Sequence, residues 1–150
     1  MTAAIQTPRV QFPRVGVGVL LVDELSRVLL TLRNLPPEAN HWSILGGKLD
    51  FLESLEACAI REAREEAGVE IVIERLLCVT DHRLPGENQH WVSPALLGHI
   101  VGGEARNCEP QKTSDVRWFP LTDLPPNLTM TARNAIHALH TNALSSAKSS

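Results

Sequence analysis

The sequence has no hydrophobic run long enough to cross a bilayer. Its longest, residues 15–22, is interrupted by Gly16 and Gly18 and falls well short of the roughly 20 apolar residues a spanning helix needs. It has no CxxC pair either. Cys58, Cys78 and Cys108 are spread singly and odd in number, which fits buried, inert thiols in the cytosol rather than a disulfide frame. Positive charge is not in excess, because 14 Lys and Arg stand against 17 Asp and Glu for a net charge of -3. A polynucleotide would need a local basic patch, and none is visible. The opening stretch MTAAIQTPRVQFPR carries two prolines and no apolar core of signal-peptide length, so secretion is not indicated and a cytoplasmic location is expected. No internal repeat occurs.

What is present is the composition of an ordinary globular chain: 150 residues, 43% hydrophobic and 21% charged, enough for one core. Residues 1–12 and 145–150 are polar, small or proline-bearing and are expected as flexible tails around a single domain of residues 13–144. VGVGVLLV and RVLLTLR read as two strands at hairpin spacing. A proline-bearing loop at 34–40 leads to a short third strand at 41–45 and then to Gly46 and Gly47. The segment 54–67 is dense in Ala, Glu, Arg and Leu, with Ser54 placed to cap its start and Gly68 its end, and predicts a helix. Residues 70–80 and 91–101 read as further strands separated by a turn at Pro85 and Gly86, and 116–119 as a last one. A closing helix is expected over 129–143, with Ile136, Leu139 and Leu144 toward the core. This order implies a compact α/β or α+β sandwich around a central mixed sheet.

The chemistry concentrates on the first helix. Glu62, Glu65 and Glu66 share one face at spacings of three and four residues, while Ala59, Ile60, Ala63 and Ala67 occupy the adjoining arc. Like charges at this spacing repel by a few tenths of a kcal/mol per pair, and hard oxygen ligands of this kind suit Mg²⁺ or Mn²⁺. Taken alone, an EAREEA stretch reads more readily as a solvated face neutralised by Arg61 and Arg64. The preceding glycines, which allow close backbone approach to a phosphate or metal, and Glu53 near the helix start change that reading.

Together GGKLDFLESLEACAIREAREEAGV resembles the Nudix box: Gly, five residues, Glu, seven residues, then Arg-Glu-aliphatic-x-Glu-Glu-x-Gly-aliphatic. Gly47, Glu53, Arg61, Glu62, Glu65, Glu66, Gly68 and Val69 meet it. So many fixed residues at fixed offsets make a specific motif. Two positions depart: Ala63 is small for the aliphatic site, and Leu45 stands where the family generally has proline. The resemblance implies an α/β/α sandwich and a hydrolase acting on a phosphoanhydride bond of a nucleoside diphosphate derivative. It implies that Glu62, Glu65 and Glu66 hold Mg²⁺, with Mn²⁺ as the alternative, helped by the Gly46 carbonyl, and that Glu53 pairs with Arg61. The general base comes from a box glutamate or a later acidic residue, with Glu65, Glu109 and Asp115 as candidates.

Outside the box the resemblance extends from about residue 14 to 139 and points to MutT-related nucleotide diphosphatases, which convert (deoxy)nucleoside triphosphates, oxidised ones included, to monophosphate and pyrophosphate. Pro85, 16 residues after Val69, instead fits ADP-ribose or nucleotide-sugar pyrophosphatases. A small-molecule nucleotide is therefore the expected partner, without polynucleotide or membrane, and related proteins imply a homodimer. Arg33 at a strand end is a candidate phosphate ligand. Trp42, Trp91 and His90 are candidates for stacking on a base, with core packing as the alternative for the tryptophans. Gly46 and Gly47 are expected beside the substrate. His137 and His140 lack a third ligand and read as structural. Against a non-catalytic nucleotide sensor stands the full set of box glutamates, and against an acidic protein-interaction helix stands the glycine loop.

Overall fold

The computed structural model describes residues 11–147, with side chains to residue 142. Most of the segment expected as an N-terminal tail therefore lies outside the described residues, as do the last three residues and the Leu144 side chain. Two sheets make the centre. In the first, β4 (Leu45–Lys48), β1 (Arg14–Leu21), β6 (Gln89–Gly102) and β5 (Glu70–Leu84) lie side by side in that order. The second has the order β3 (Trp42–Ser43), β2 (Arg27–Arg33), β7 (Thr113–Pro120). The first sheet is mixed, since β1 runs parallel to β6 and antiparallel to β4.

The helices α1 (Leu55–Ala67) and α2 (Met130–Ala147) cover opposite sides. Alternation along β1 explains why: Val17, Val19 and Leu21 join Ala59, Ala63 and Ala67 of α1 in one core cluster, whereas Leu20 joins Val28, Leu30, Ala132 and Ile136 of α2 in another. Both sheet faces are thus buried, and the α/β/α sandwich expected of this chain is present. Ile136 is buried and Leu139 packs against the α2 cluster, as their spacing predicted. Among the described residues, no helix is long and apolar enough to cross a membrane.

Three local expectations are sharpened. The third strand is two short ones, because the chain crosses from one sheet to the other at Ile44, whose side chain is buried in the α2 cluster. The strands around Pro85 extend into one long hairpin, β5 paired to β6 from Glu70↔Gly102 to Leu84↔Gln89, closed by a 3-10 turn at Pro85–Glu87. The closing helix continues to Ala147, past the expected end.

Candidate active site

Helix α1 is set by its caps and its buried stripe. The Ser54 side chain accepts from the Ala57 N–H at 3.0 Å, and Gly68 takes the left-handed backbone at φ 68° that ends the helix. Cys58, Ala59, Ala63 and Ala67 are buried against the sheet. Ala63 is fully buried, so the small residue at the aliphatic position lets the helix approach closely. Leu45, in place of the usual proline, is fully buried in the same cluster and anchors the glycines by packing.

Those glycines meet the carboxylates directly. The Gly46 N–H donates to Glu66 Oε1 at 2.8 Å. A Cβ on Gly46 would collide with the Val17 carbonyl of β1, and one on Gly47 would fall on the Glu62 carboxylate. Burial pushes the Glu66 carboxyl well above the usual carboxylate range; the Gly46 N–H opposes this, while hydrogen-bond contact with Glu62 and the nearby charge of Glu109 add to it. Arg61 organises the rest. It donates to Glu53 at 2.8 and 2.9 Å, to Glu62 at 2.9 Å and to the Lys48 carbonyl at 3.2 Å. Its guanidinium holds the Glu53 carboxyl down at about 2, and Glu53 in turn raises Arg61 further. The expected Glu53–Arg61 pair is therefore formed, and it ties the loop after β4 to α1.

Glu62 and Glu66 stand together, whereas Glu65 is half-exposed and turned to Arg61 at 3.3 Å. Among the described residues, no three His, Cys, Asp or Glu side chains stand as a ready-made cation cluster. Glu109, in the loop between β6 and β7, acts on Glu66 through its charge. The Arg106 and Cys108 N–H groups donate to the Ala67 and Glu66 carbonyls, both at 3.1 Å, docking that loop on the end of α1. Asp115 instead pairs with Arg117 at 2.6 Å on β7. Burial raises the Cys58 thiol to about 12 and also raises Cys78, so neither is a ready nucleophile. His137 and His140 are exposed on α2.

Beside the glycines opens a cleft of about 230 Å³ whose lining includes Arg33, Gly46, Gly47 and Lys48. Arg33 donates to the Pro37 carbonyl at 2.9 Å through Nε, which fixes its guanidinium at the rim. Trp42, expected to stack on a base, belongs to the core instead. It is 7% exposed, packs edge-on to Phe119 at 4.7 Å and is absent from the cleft wall. The aromatic residue in the cleft is Trp91. His90 lies in a separate groove and is paired with Asp81 at 2.7 Å. Glu38 and His82 also line the cleft and escaped sequence reading. Each is a lone polar residue in a loop or strand, and only the fold brings them together.

The adjacent carboxyl groups of Glu62 and Glu66, hard oxygen donors whose mutual repulsion a cation would relieve, fit a divalent metal ion, and the glycine backbone beside them admits a phosphate.

Residues 12–139 match the family model for the NUDIX domain. A MutT NUDIX hydrolase from Burkholderia pseudomallei superposes with a TM-score of 0.82 at 41% identity, over 86% of this chain and 99% of that one. The NAD-capped RNA hydrolase NudC of Pseudomonas putida is 32% identical over 120 residues, 77% of this chain but 40% of that protein, so this chain spans well under half of that relative's length. A Bacillus subtilis protein named "Putative 8-oxo-dGTP diphosphatase" is 29% identical over 110 residues, 73% of this chain and 68% of that protein.

Proposed function

The chain belongs to the NUDIX domain family of hydrolases acting on phosphoanhydride bonds, and on that premise we propose that it is a Mg²⁺-dependent pyrophosphatase of (deoxy)nucleoside triphosphates, oxidised ones included. The observation that carries this is the Gly46 N–H to Glu66 contact with the Glu62 carboxylate lying over Gly47. It puts paired acidic oxygens directly against the bare backbone of Gly46 and Gly47, which line the cleft.

Nudix hydrolases use a divalent metal, and here Glu62, Glu65, Glu66 and the Gly46 carbonyl would hold Mg²⁺, or Mn²⁺. When bound, the ion offsets the charge of the diphosphate and lowers the pKa of an attacking water. Arg61 and Glu53 keep the glycine loop in register with α1. Arg33 offers its remaining N–H groups to a distal phosphate, and Trp91 offers a face to the base. Glu109, whose charge acts on Glu66, is the better placed of the later acids to take the proton from water, with Glu65 as the box alternative. The ion pair of Glu109 with Lys112 is long at 3.6 Å, while Asp115 is held by Arg117 at 2.6 Å. Residues 13–144 form the working unit in this proposal, as a cytoplasmic homodimer.

A second reading, a dinucleotide diphosphate such as NAD, free or at the end of an RNA, is supported by the NudC relative. An ADP-ribose or nucleotide-sugar substrate has less support, because Pro85 sits at the exposed hairpin tip outside the cleft. The test is a panel of nucleoside triphosphates, C8-oxidised triphosphates, ADP-ribose, NAD and NAD-capped RNA, with products identified by mass. Triphosphates giving monophosphate and pyrophosphate as the best reaction supports the first reading, and a preference for NAD or capped RNA replaces it with the second.

A further inference from the structure

On the α2 side of the cleft stands a polar pair that phosphate chemistry leaves unused. His82, on β5, is 7% exposed and lines the cleft. Its ring makes no hydrogen bond among the described residues, and its closest charged neighbour is Glu38 Oε1, 3.9 Å from Nε2, beyond hydrogen-bond reach. With most of the ring buried and no protein partner taken, His82 keeps its hydrogen-bonding capacity open to whatever occupies the cleft. Glu38 is itself held in place. Its Oε2 accepts from the Met130 N–H at 3.0 Å, its backbone sits in the left-handed region at φ 57°, and Oε1 remains toward His82.

We infer that Glu38 and His82 read the base of the nucleotide, and that together they select a guanine-type Watson–Crick edge, an inference that rests on the nucleoside triphosphate reading above. An ionised carboxylate only accepts hydrogen bonds, whereas a neutral imidazole can donate one. Adenine and cytosine present one donor next to an acceptor, and uracil or thymine one donor between two acceptors. Each sets at least one ring or carbonyl lone pair against the carboxylate, which repels it. Guanine alone among the common bases offers two adjacent donors, N1–H and the 2-amino group, to Glu38, beside an O6 acceptor for the His82 N–H. Oxidation at C8 leaves this edge intact, so the pair accepts guanine and its C8-oxidised form alike. Thr131 lies on the same wall, and Trp91 stands against β1, where a Cβ at Gly16 would be 3.3 Å from its ring.

The experiment compares dGTP with dITP, whose hypoxanthine lacks only the 2-amino group, for wild type and Glu38→Gln. Calorimetric binding of GMP and IMP is measured alongside. A site built to bond a polar group rejects the analogue lacking it, so wild type is expected to favour dGTP by at least about tenfold in kcat/KM, with GMP binding tighter than IMP by a similar factor. In Glu38→Gln, where the amide still accepts from the Met130 N–H but no longer receives two donors, both ratios are expected to fall below about threefold. Equal treatment of dGTP and dITP by wild type overturns the inference, as does a Glu38→Gln variant that lowers both substrates in proportion. If no triphosphate is hydrolysed, the functional reading fails and the GMP to IMP binding ratio alone decides this one: equal affinity, or no binding of either, overturns it.

Discussion

The backbone N–H of Gly46 donates to Oε1 of Glu66 at 2.8 Å, joining the end of the sheet to the acidic face of α1. This bond works against its surroundings, because burial and the carboxylates of Glu62 and Glu109 oppose ionisation of Glu66. The site therefore stores a destabilising charge where the chemistry needs one. Glu66→Gln keeps the acceptor and removes the charge. In EDTA at pH 8 its melting temperature should rise by a few degrees, at roughly 2–4 °C per kcal/mol for a chain of this size. A lower melting temperature than wild type would show that the charge is compensated.

Gly47→Ala tests the closeness of loop and helix. Its Cβ would occupy the place of the Glu62 carboxylate, so that side chain must move. Hydrolysis should fall on the order of 100-fold, the scale of a 1 Å misplacement, while far-ultraviolet circular dichroism stays that of wild type. Retained activity would mean that Glu62 is not needed where it stands.

The Glu53–Arg61 pair carries a pH signature. Arg61 holds the Glu53 carboxyl at about 2, below its value of roughly 4.3 in an unfolded chain. A lowered carboxylate contributes stability that is present above the unfolded value and lost as pH falls toward 2. Glu53→Gln should therefore melt lower than wild type at pH 7, with the gap closing between pH 4.5 and pH 2. A gap that persists unchanged at pH 2 assigns the loss to shape rather than charge.

The two tryptophans separate core from cleft. Trp42→Ala removes a buried ring packed on Phe119 and should cost about 3–5 kcal/mol of stability. Trp91→Ala should instead raise KM for the nucleotide several-fold with a smaller loss of stability, read by denaturant titration and steady-state kinetics. The reverse pattern would return the stacking role to Trp42.

That exchange shows where sequence reading reaches its limit. Ser54, Gly68, the Glu53–Arg61 pair and the box glutamates were legible because local spacing fixes caps, faces and helix register. The break at Ile44 and the full length of the β5–β6 hairpin were not, because sheet membership depends on which distant strand lies alongside. Trp42 and Trp91 look alike as residues beside apolar strands, and only the pairing of β3 with β2 buries the first. Glu38 and His82, on a loop and a strand far apart in the chain, carry no shared pattern at all.

The most direct test of the account is the product and metal dependence of triphosphate hydrolysis, followed by phosphorus nuclear magnetic resonance with wild type and Glu66→Gln. Monophosphate and pyrophosphate are expected, formed only with Mg²⁺ or Mn²⁺, with a rate reduced at least about 1000-fold in Glu66→Gln, on the scale of losing a principal electrostatic stabiliser. Diphosphate and orthophosphate as products, an undiminished rate in EDTA, or equal turnover by the two proteins would contradict it.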